Sequence, residues 1–162
     1  MAPKTSTTTH IHRISLIYRI WFLYLEPVFA LGGTYLCLYD PQRMLTGTVP
    51  VPAIAAASPS GGGPIPITPL MQMLLTNIGS LYVLFSINEG LVLRLSNEKK
   101  VWFGIIGSML VSDIGHLYAV YQIAPERMLE VAGWNSDEWI NYGTLWFGAA
   151  LRAGFLLGFG RN

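Results

Sequence analysis

The chain has 162 residues, 52% of them hydrophobic and only 12% charged, with a mean hydropathy of +0.44. Soluble domains carry about 25% charged residues, so a surface this poor in charge does not keep so small a domain in water, and the aliphatic and aromatic content excludes disorder. Ten Lys and Arg nearly cancel nine Asp and Glu without forming a basic cluster, which argues against a nucleic-acid partner, and the single cysteine, Cys37, excludes a disulfide scaffold. An integral membrane protein remains, with the lipid bilayer as its partner and room for four spans of about 20 residues.

With a membrane-sized window, apolar stretches stand out at residues 16–38, 70–95, 101–121 and 139–159. The first is too long for a signal peptide and no small-residue cleavage site follows it, so it reads as a retained span. Residues 40–69 hold seven of the ten prolines and the run Ser60-Gly61-Gly62-Gly63-Pro64. That composition is not expected to form any helix and need not pack a core, so the segment reads as a mobile linker or a lid over a lumenal entrance. The short loop Ser96-Asn97-Glu98-Lys99-Lys100 forces an antiparallel hairpin. The loop over 124–138 is expected to hold a short interfacial helix, with Trp134 and Trp139 at the headgroups.

Four spans put both termini and the 96–100 loop on one side, with Lys4, Arg13, Lys99, Lys100 and Arg161. The other side has Arg43 and Arg127, diluted by Asp40, Glu126, Glu130, Asp137 and Glu138. The positive-inside rule then places both termini in the cytosol. The expected fold is all-α, a single transmembrane domain over residues 1–162 built as a four-helix bundle.

Arg19, Glu26, Glu89, Asp113, His116 and Arg152 fall inside these spans, as do Asn77 and Asn88. A charge at the bilayer centre costs about 2.5–3.5 kcal/mol on insertion scales, so such groups face one another or a wet cavity. At about 1.5 Å of rise per residue, Glu26, Asp113 and Arg152 come out near the midplane. Arg19 and Glu89 come out nearer the cytosolic end, where they read as a structural ion pair. Asp113 and His116, three apart, share one helix face, and Arg19 and Glu26, seven apart, share another. Glycines on the third and fourth spans let backbones approach, within the bundle or against a second copy in a homo-oligomer. Pro27 is expected to kink the first span beside Glu26.

Two acids and one arginine leave a carboxyl over, which structural glue rarely needs. One acid kept ionised by Arg152 can draw a proton from a nucleophile, while the other, desolvated and protonated, can give one to a leaving oxygen. Epoxide opening needs those two acts. Tyr24, Tyr118, Tyr121 and Asn77 are available to orient water or substrate, and Trp21, Phe22, Phe85, Trp146 and Phe147 to shape an apolar cavity. Asp113 and His116 with Glu26 or Glu89 supply metal-ligand atoms, but no Glu-x-x-His or His-x-x-x-His pattern occurs, so neither a metal nor an organic cofactor is expected. The same parts would serve an acid-initiated terpenoid cyclase or isomerase, or a non-enzymatic lipid-binding or scaffold protein with a buried ion network.

The segments Ile17-Tyr18-Arg19-Ile20-Trp21-Phe22-Leu23-Tyr24-Leu25-Glu26-Pro27, Asn77-Ile78-Gly79-Ser80-Leu81-Tyr82, Asn88-Glu89, Asp113-Ile114-Gly115-His116-Leu117-Tyr118 and Gly148-Ala149-Ala150-Leu151-Arg152 resemble a family of small fungal four-span membrane proteins. Some of its members resemble the membrane-bound epoxide hydrolases of polyene-pyrone polyether pathways, of the aurovertin and citreoviridin kind. The resemblance covers the chain except residues 40–69. It implies opening of polyene-derived epoxides, by water or an internal hydroxyl, in secondary metabolism. By roles alone, the acid–arginine–acid set is also similar to that of soluble limonene-type epoxide hydrolases, on an unrelated fold.

The expected protein is thus an enzyme of the endoplasmic reticulum membrane acting on an apolar epoxide. Asp113 and Glu26 are the expected acid–base pair, Arg152 their bridge and His116 a further catalytic residue that positions the reactants with Asn77 and Tyr118. Asn77, Tyr118, Tyr24, Glu89, Arg19 and Trp146 are the candidates to bind substrate.

Overall fold

The computed structural model describes residues 14–49, 51–58 and 64–160. Lys4, Arg13 and Arg161, which carry part of the charge asymmetry, and the Ser60-Gly61-Gly62-Gly63 run lie outside the described residues. The helices are α1 (Leu16–Tyr39), α2 (Pro41–Thr48), α3 (Val51–Ala57), α4 (Pro69–Leu95), α5 (Lys99–Ile123), α6 (Pro125–Leu129) and α7 (residues 136–157), with one tight turn at Val131–Gly133. Three of them, α1, α4 and α5, are long and apolar enough to cross a membrane. The fourth long helix, α7, carries Asp137, Glu138 and Arg152 and is less apolar.

Local chemistry sets the ends of α7 a few residues earlier than hydropathy suggests. The Asn135 side chain accepts from the Glu138 N–H at 2.9 Å while Glu138 accepts from the Asn135 N–H at 2.8 Å, a reciprocal cap. At the other end Gly158 adopts φ 104°, and the Phe159 N–H turns back onto the Gly154 carbonyl at 3.0 Å.

The proline-rich stretch departs from expectation, because α2 and α3 both form within it. Pro41 sits in the first turn of α2, where a missing N–H costs nothing, and the Asp40 side chain accepts from the Arg43 N–H at 3.2 Å. Met44 of α2 is buried with Cys37 and Leu75, and the Tyr142 hydroxyl donates to the Thr48 carbonyl at 3.3 Å. This segment therefore packs against α1, α4 and α7. Trp134 is likewise buried, 5.1 Å from the Trp139 ring and 5.6 Å from Tyr142.

Helix α1 packs closely on α4, and α5 on α7. In the first pair glycines set the spacing. A Cβ on Gly33 would lie 2.9 Å from the Tyr82 ring, and one on Gly79 would lie 3.3 Å from Cys37. The Thr34 hydroxyl donates across the contact to the Gly79 carbonyl at 3.1 Å. An aromatic core joins the two pairs, formed by Tyr18, Phe22 and Leu23 of α1, Leu93 of α4, Trp102 and Ile106 of α5, and Phe155 of α7. Both described chain ends lie at this end of the molecule, where the Ser15 N–H donates to the Gly160 carbonyl at 2.9 Å. Outward faces carry large apolar side chains such as Val28, Leu31, Leu84 and Val111, while Glu89, Asp113 and Arg152 point inward. That is the reverse of a water-soluble arrangement.

Glycine spacing yields a paired test by thermal unfolding in detergent. Gly79→Val forces α1 and α4 apart and is expected to lose about 1–3 kcal/mol. Gly104→Ala, whose added Cβ would meet nothing within 4 Å, is expected to be neutral or to gain up to about 1 kcal/mol.

Candidate functional site

Above the aromatic core, Arg152 of α7 reaches a carboxyl on each of the other three long helices. Its Nη1 donates to Asp113 Oδ2 of α5 at 2.5 Å. Its Nη2 donates to Glu89 Oε1 of α4 at 3.0 Å and to Glu26 Oε1 of α1. Glu89, Arg152 and Asp113 are only 0%, 3% and 6% exposed, and Glu26 is the least covered, with 19% of its side chain exposed. The Phe22 ring lies 5.8 Å from the guanidinium carbon and forms a floor beneath it. On one flank Trp21 stands edge-on to Phe147 with ring centres 4.6 Å apart. Gly148 completes that flank, since a Cβ there would come within 3.1 Å of Arg152 Nη1, 3.4 Å of Glu26 Oε1 and 3.6 Å of Trp21 Nε1.

Helix register explains how these groups converge. On α5, Trp102, Ile106, Met109, Asp113 and Leu117 form one buried stripe, with the acid at a core position. On α1 and α4 the acids depend on wide turns. The Glu26 N–H bonds the Trp21 carbonyl five residues back, and the Leu93 N–H bonds the Asn88 carbonyl in the same manner. Each wide turn inserts an extra residue into the register. Residues seven apart across it no longer stack, which is why Glu26 faces the site while Arg19 stands exposed.

Pro27 also lacks the N–H that the Leu23 carbonyl would accept in a regular helix. Arg94 of α4 supplies the donor instead, while its guanidinium lies 4.4 Å from the Tyr24 ring centre. Helix α1 therefore continues through Pro27 with its distortion taken up in the wide turn and its freed carbonyl satisfied from α4.

One guanidinium faces three carboxyls. Full ionisation of all three would leave two uncompensated charges in a site with almost no solvent, so charge balance there requires protons held among the acids. Glu26 and Glu89 meet on the same guanidinium nitrogen. Their outer oxygens, with Trp21 Nε1 and Arg152 Nε, find no partner among the described residues. The arrangement offers carboxyl oxygens, an indole donor and a fixed cation in an apolar surround. Among the described residues no three His, Cys, Asp or Glu side chains are set to hold a metal ion, and the guanidinium stands between the carboxyls.

Residues 11–162 match DUF7704, a domain of unknown function. The chain belongs to the DUF7704 family. No curated protein and no solved structure matches it.

Within this DUF7704 domain, Glu26, Asp113 and Arg152 come together as the sequence suggests. Glu89 joins them, against the expectation that it pairs with Arg19. The Arg19–Glu89 pair fails because the wide turns rotate the two residues to opposite sides, Arg19 outward and Glu89 into the core. His116, Asn77, Tyr118, Tyr24 and Trp146 all lie exposed outside the cluster. Trp21, Phe22 and Gly148, by contrast, line it. Arg94 does not stand out in the sequence; its signal is a proline directly after Glu26 and the carbonyl that this proline leaves unbonded.

A double-mutant cycle on unfolding free energy tests the Arg94 contact. Arg94→Gln in the wild-type background is expected to cost about 1.5–3 kcal/mol, the range for a hydrogen bond to a charged group. In a Pro27→Ala background, where the restored backbone N–H serves the Leu23 carbonyl, the same change is expected to cost markedly less. Equal costs would assign Arg94 no role at the proline.

Proposed function

We propose that this DUF7704 protein is an integral membrane enzyme that opens epoxides of an apolar substrate by acid–base catalysis, without an organic cofactor. Its long helices form a four-span bundle with both termini cytosolic, in the endoplasmic reticulum. The observation that carries the reading is the Arg152 guanidinium shared by Glu26, Glu89 and Asp113, with two carboxyl oxygens left free. A purely structural pair is complete with one acid; three acids on one cation make a site that stores and moves protons.

In this reading Glu26, the acid least covered by its neighbours, gives a proton to the epoxide oxygen as the carbon–oxygen bond breaks. Asp113, held ionised on Nη1, takes the proton from water or from a substrate hydroxyl attacking the carbon behind. The proton that Asp113 gains passes back to Glu26 by way of the Glu89 carboxyl, which shares the guanidinium with both, so that each acid ends the cycle as it began, and the Trp21 N–H steadies the developing alkoxide. Phe22 and Phe147 keep bulk water from the site. The chemistry agrees with the resemblance to epoxide-opening fungal membrane proteins.

A second reading has one observation in its favour: Glu89 and Arg152 are as buried as core hydrophobics, as in a network that only fixes helix register. Turnover of a polyene-pyrone epoxide in oxygen-18 water, followed by mass spectrometry beside thermal melts, separates the two. Wild type is expected to form product, with the label in a diol or absent from a cyclic ether. Glu26→Gln is expected to melt normally and lose about a hundredfold or more in rate. A Glu26→Gln variant that melts normally and turns over like wild type would leave the cluster structural.

A further inference from the structure

Helices α4 and α5 are consecutive in the chain and joined by a short turn, yet they diverge beyond the carboxyl cluster and leave a cleft of about 270 Å³. Leu81, Tyr82 and Phe85 of α4 face Ser112, Gly115 and His116 of α5 across it. Two features distinguish it from an ordinary groove between lipid-facing helices. First, its apolar wall carries an imidazole and a hydroxyl, groups that a hydrocarbon surround does not satisfy. Second, it lies next to the cluster along both helices. Phe85 precedes Glu89 by four residues, and His116 follows Asp113 by three. On both walls the cleft therefore lies about one helical turn, about 5.4 Å of rise, from an acid. On the flank toward α7, Trp21, Phe147 and Gly148 pack against the cluster, whereas the α4–α5 side carries the cleft.

We infer that the α4–α5 cleft, lined by Phe85, Gly115 and His116, holds the apolar body of the substrate and directs its epoxide to the carboxyl cluster. This assignment rests on the epoxide-opening reading. The substrate class it selects is an extended, largely hydrocarbon molecule whose epoxide lies a few bonds from an oxygen function that His116 and Ser112 hydrogen-bond. A compact epoxide without a chain leaves the cleft empty and is a poor substrate.

Gly115 provides the test, because a Cβ there would meet no atom within 4 Å. Leucine at this position extends into the cleft from a Cβ that touches no protein atom, and replacing a helical glycine favours folding by up to about 1 kcal/mol. Full-length wild type, Gly115→Leu and Glu26→Gln in detergent are treated with a long-chain terminal epoxide carrying a diazirine on its chain, irradiated and mapped by mass spectrometry. Turnover of the same epoxide is measured in parallel.

Labelling of wild type and Glu26→Gln at the cleft is expected. In Gly115→Leu, label should be lost and kcat/KM should fall by about ten- to a hundredfold, with the melt unchanged or raised. Turnover by Gly115→Leu equal to wild type would overturn the cleft assignment and leave the epoxide chemistry standing. Cleft labelling without turnover by wild type would overturn the epoxide chemistry alone. Absence of cleft labelling in wild type, or its displacement by excess phospholipid, would overturn the assignment, the latter in favour of a lipid-tail groove.

Discussion

The structure turns on the contact between Arg152 and one carboxyl from each of the other three long helices. A guanidinium is planar, always charged and able to donate in several directions at once, and no other side chain could serve Glu26, Glu89 and Asp113 together. The contact determines which face of each helix points inward. It also brings to one place groups that would be costly alone in an apolar surround. The aromatic core around Phe155 seals the site toward the chain ends, Gly148 lets α7 approach closely enough for the guanidinium to reach, and Phe22 supports it from below.

Backbone irregularity is the second requirement. Regular helices would not aim Glu26 and Glu89 at the same nitrogen. The wide turns at Trp21–Leu25 and Asn88–Val92 rotate the two acids inward, and they sit beside each other, with Gly90 lying against Pro27. Arg94 then supplies the donor that Pro27 removes. Each distortion is matched by a partner on the neighbouring helix, so α1 and α4 form one unit, consistent with the glycine-spaced contact of Gly33 and Gly79 further along the same pair.

Much of this was legible in the sequence, for identifiable reasons. Long apolar runs and turn chemistry mark α1, α4 and α5 to within a few residues, because helix length and hydropathy are local properties. Glu26, Asp113 and Arg152 stand out because ionisable groups at that depth must find one another. What was hidden depends on register and on partners distant in sequence. Counting at ideal helical periodicity cannot anticipate a wide turn, so it matches Arg19 to Glu89. Proline content alone obscures α2, since Pro41 occupies the one helical position that tolerates it and its partners Cys37, Leu75 and Tyr142 lie on other helices. Arg94 looks like an end-of-span charge, and only the carbonyl freed by Pro27 gives it a role.

A single cation holds three carboxyls, and the surplus acid is not what stabilises the fold. Thermal unfolding of Arg152→Met and Glu89→Gln, side by side in the same detergent, tests this most directly. Arg152→Met leaves three buried acids without a cation and is predicted to cost about 3–5 kcal/mol. Glu89→Gln keeps the shape and the bond to Arg152 while removing one surplus acid, and is predicted to unfold at or above the wild-type temperature. A Glu89→Gln variant as unstable as Arg152→Met would show that the surplus acid does stabilise the fold, and an Arg152→Met variant as stable as wild type would show that Arg152 is not the cation on which the fold depends.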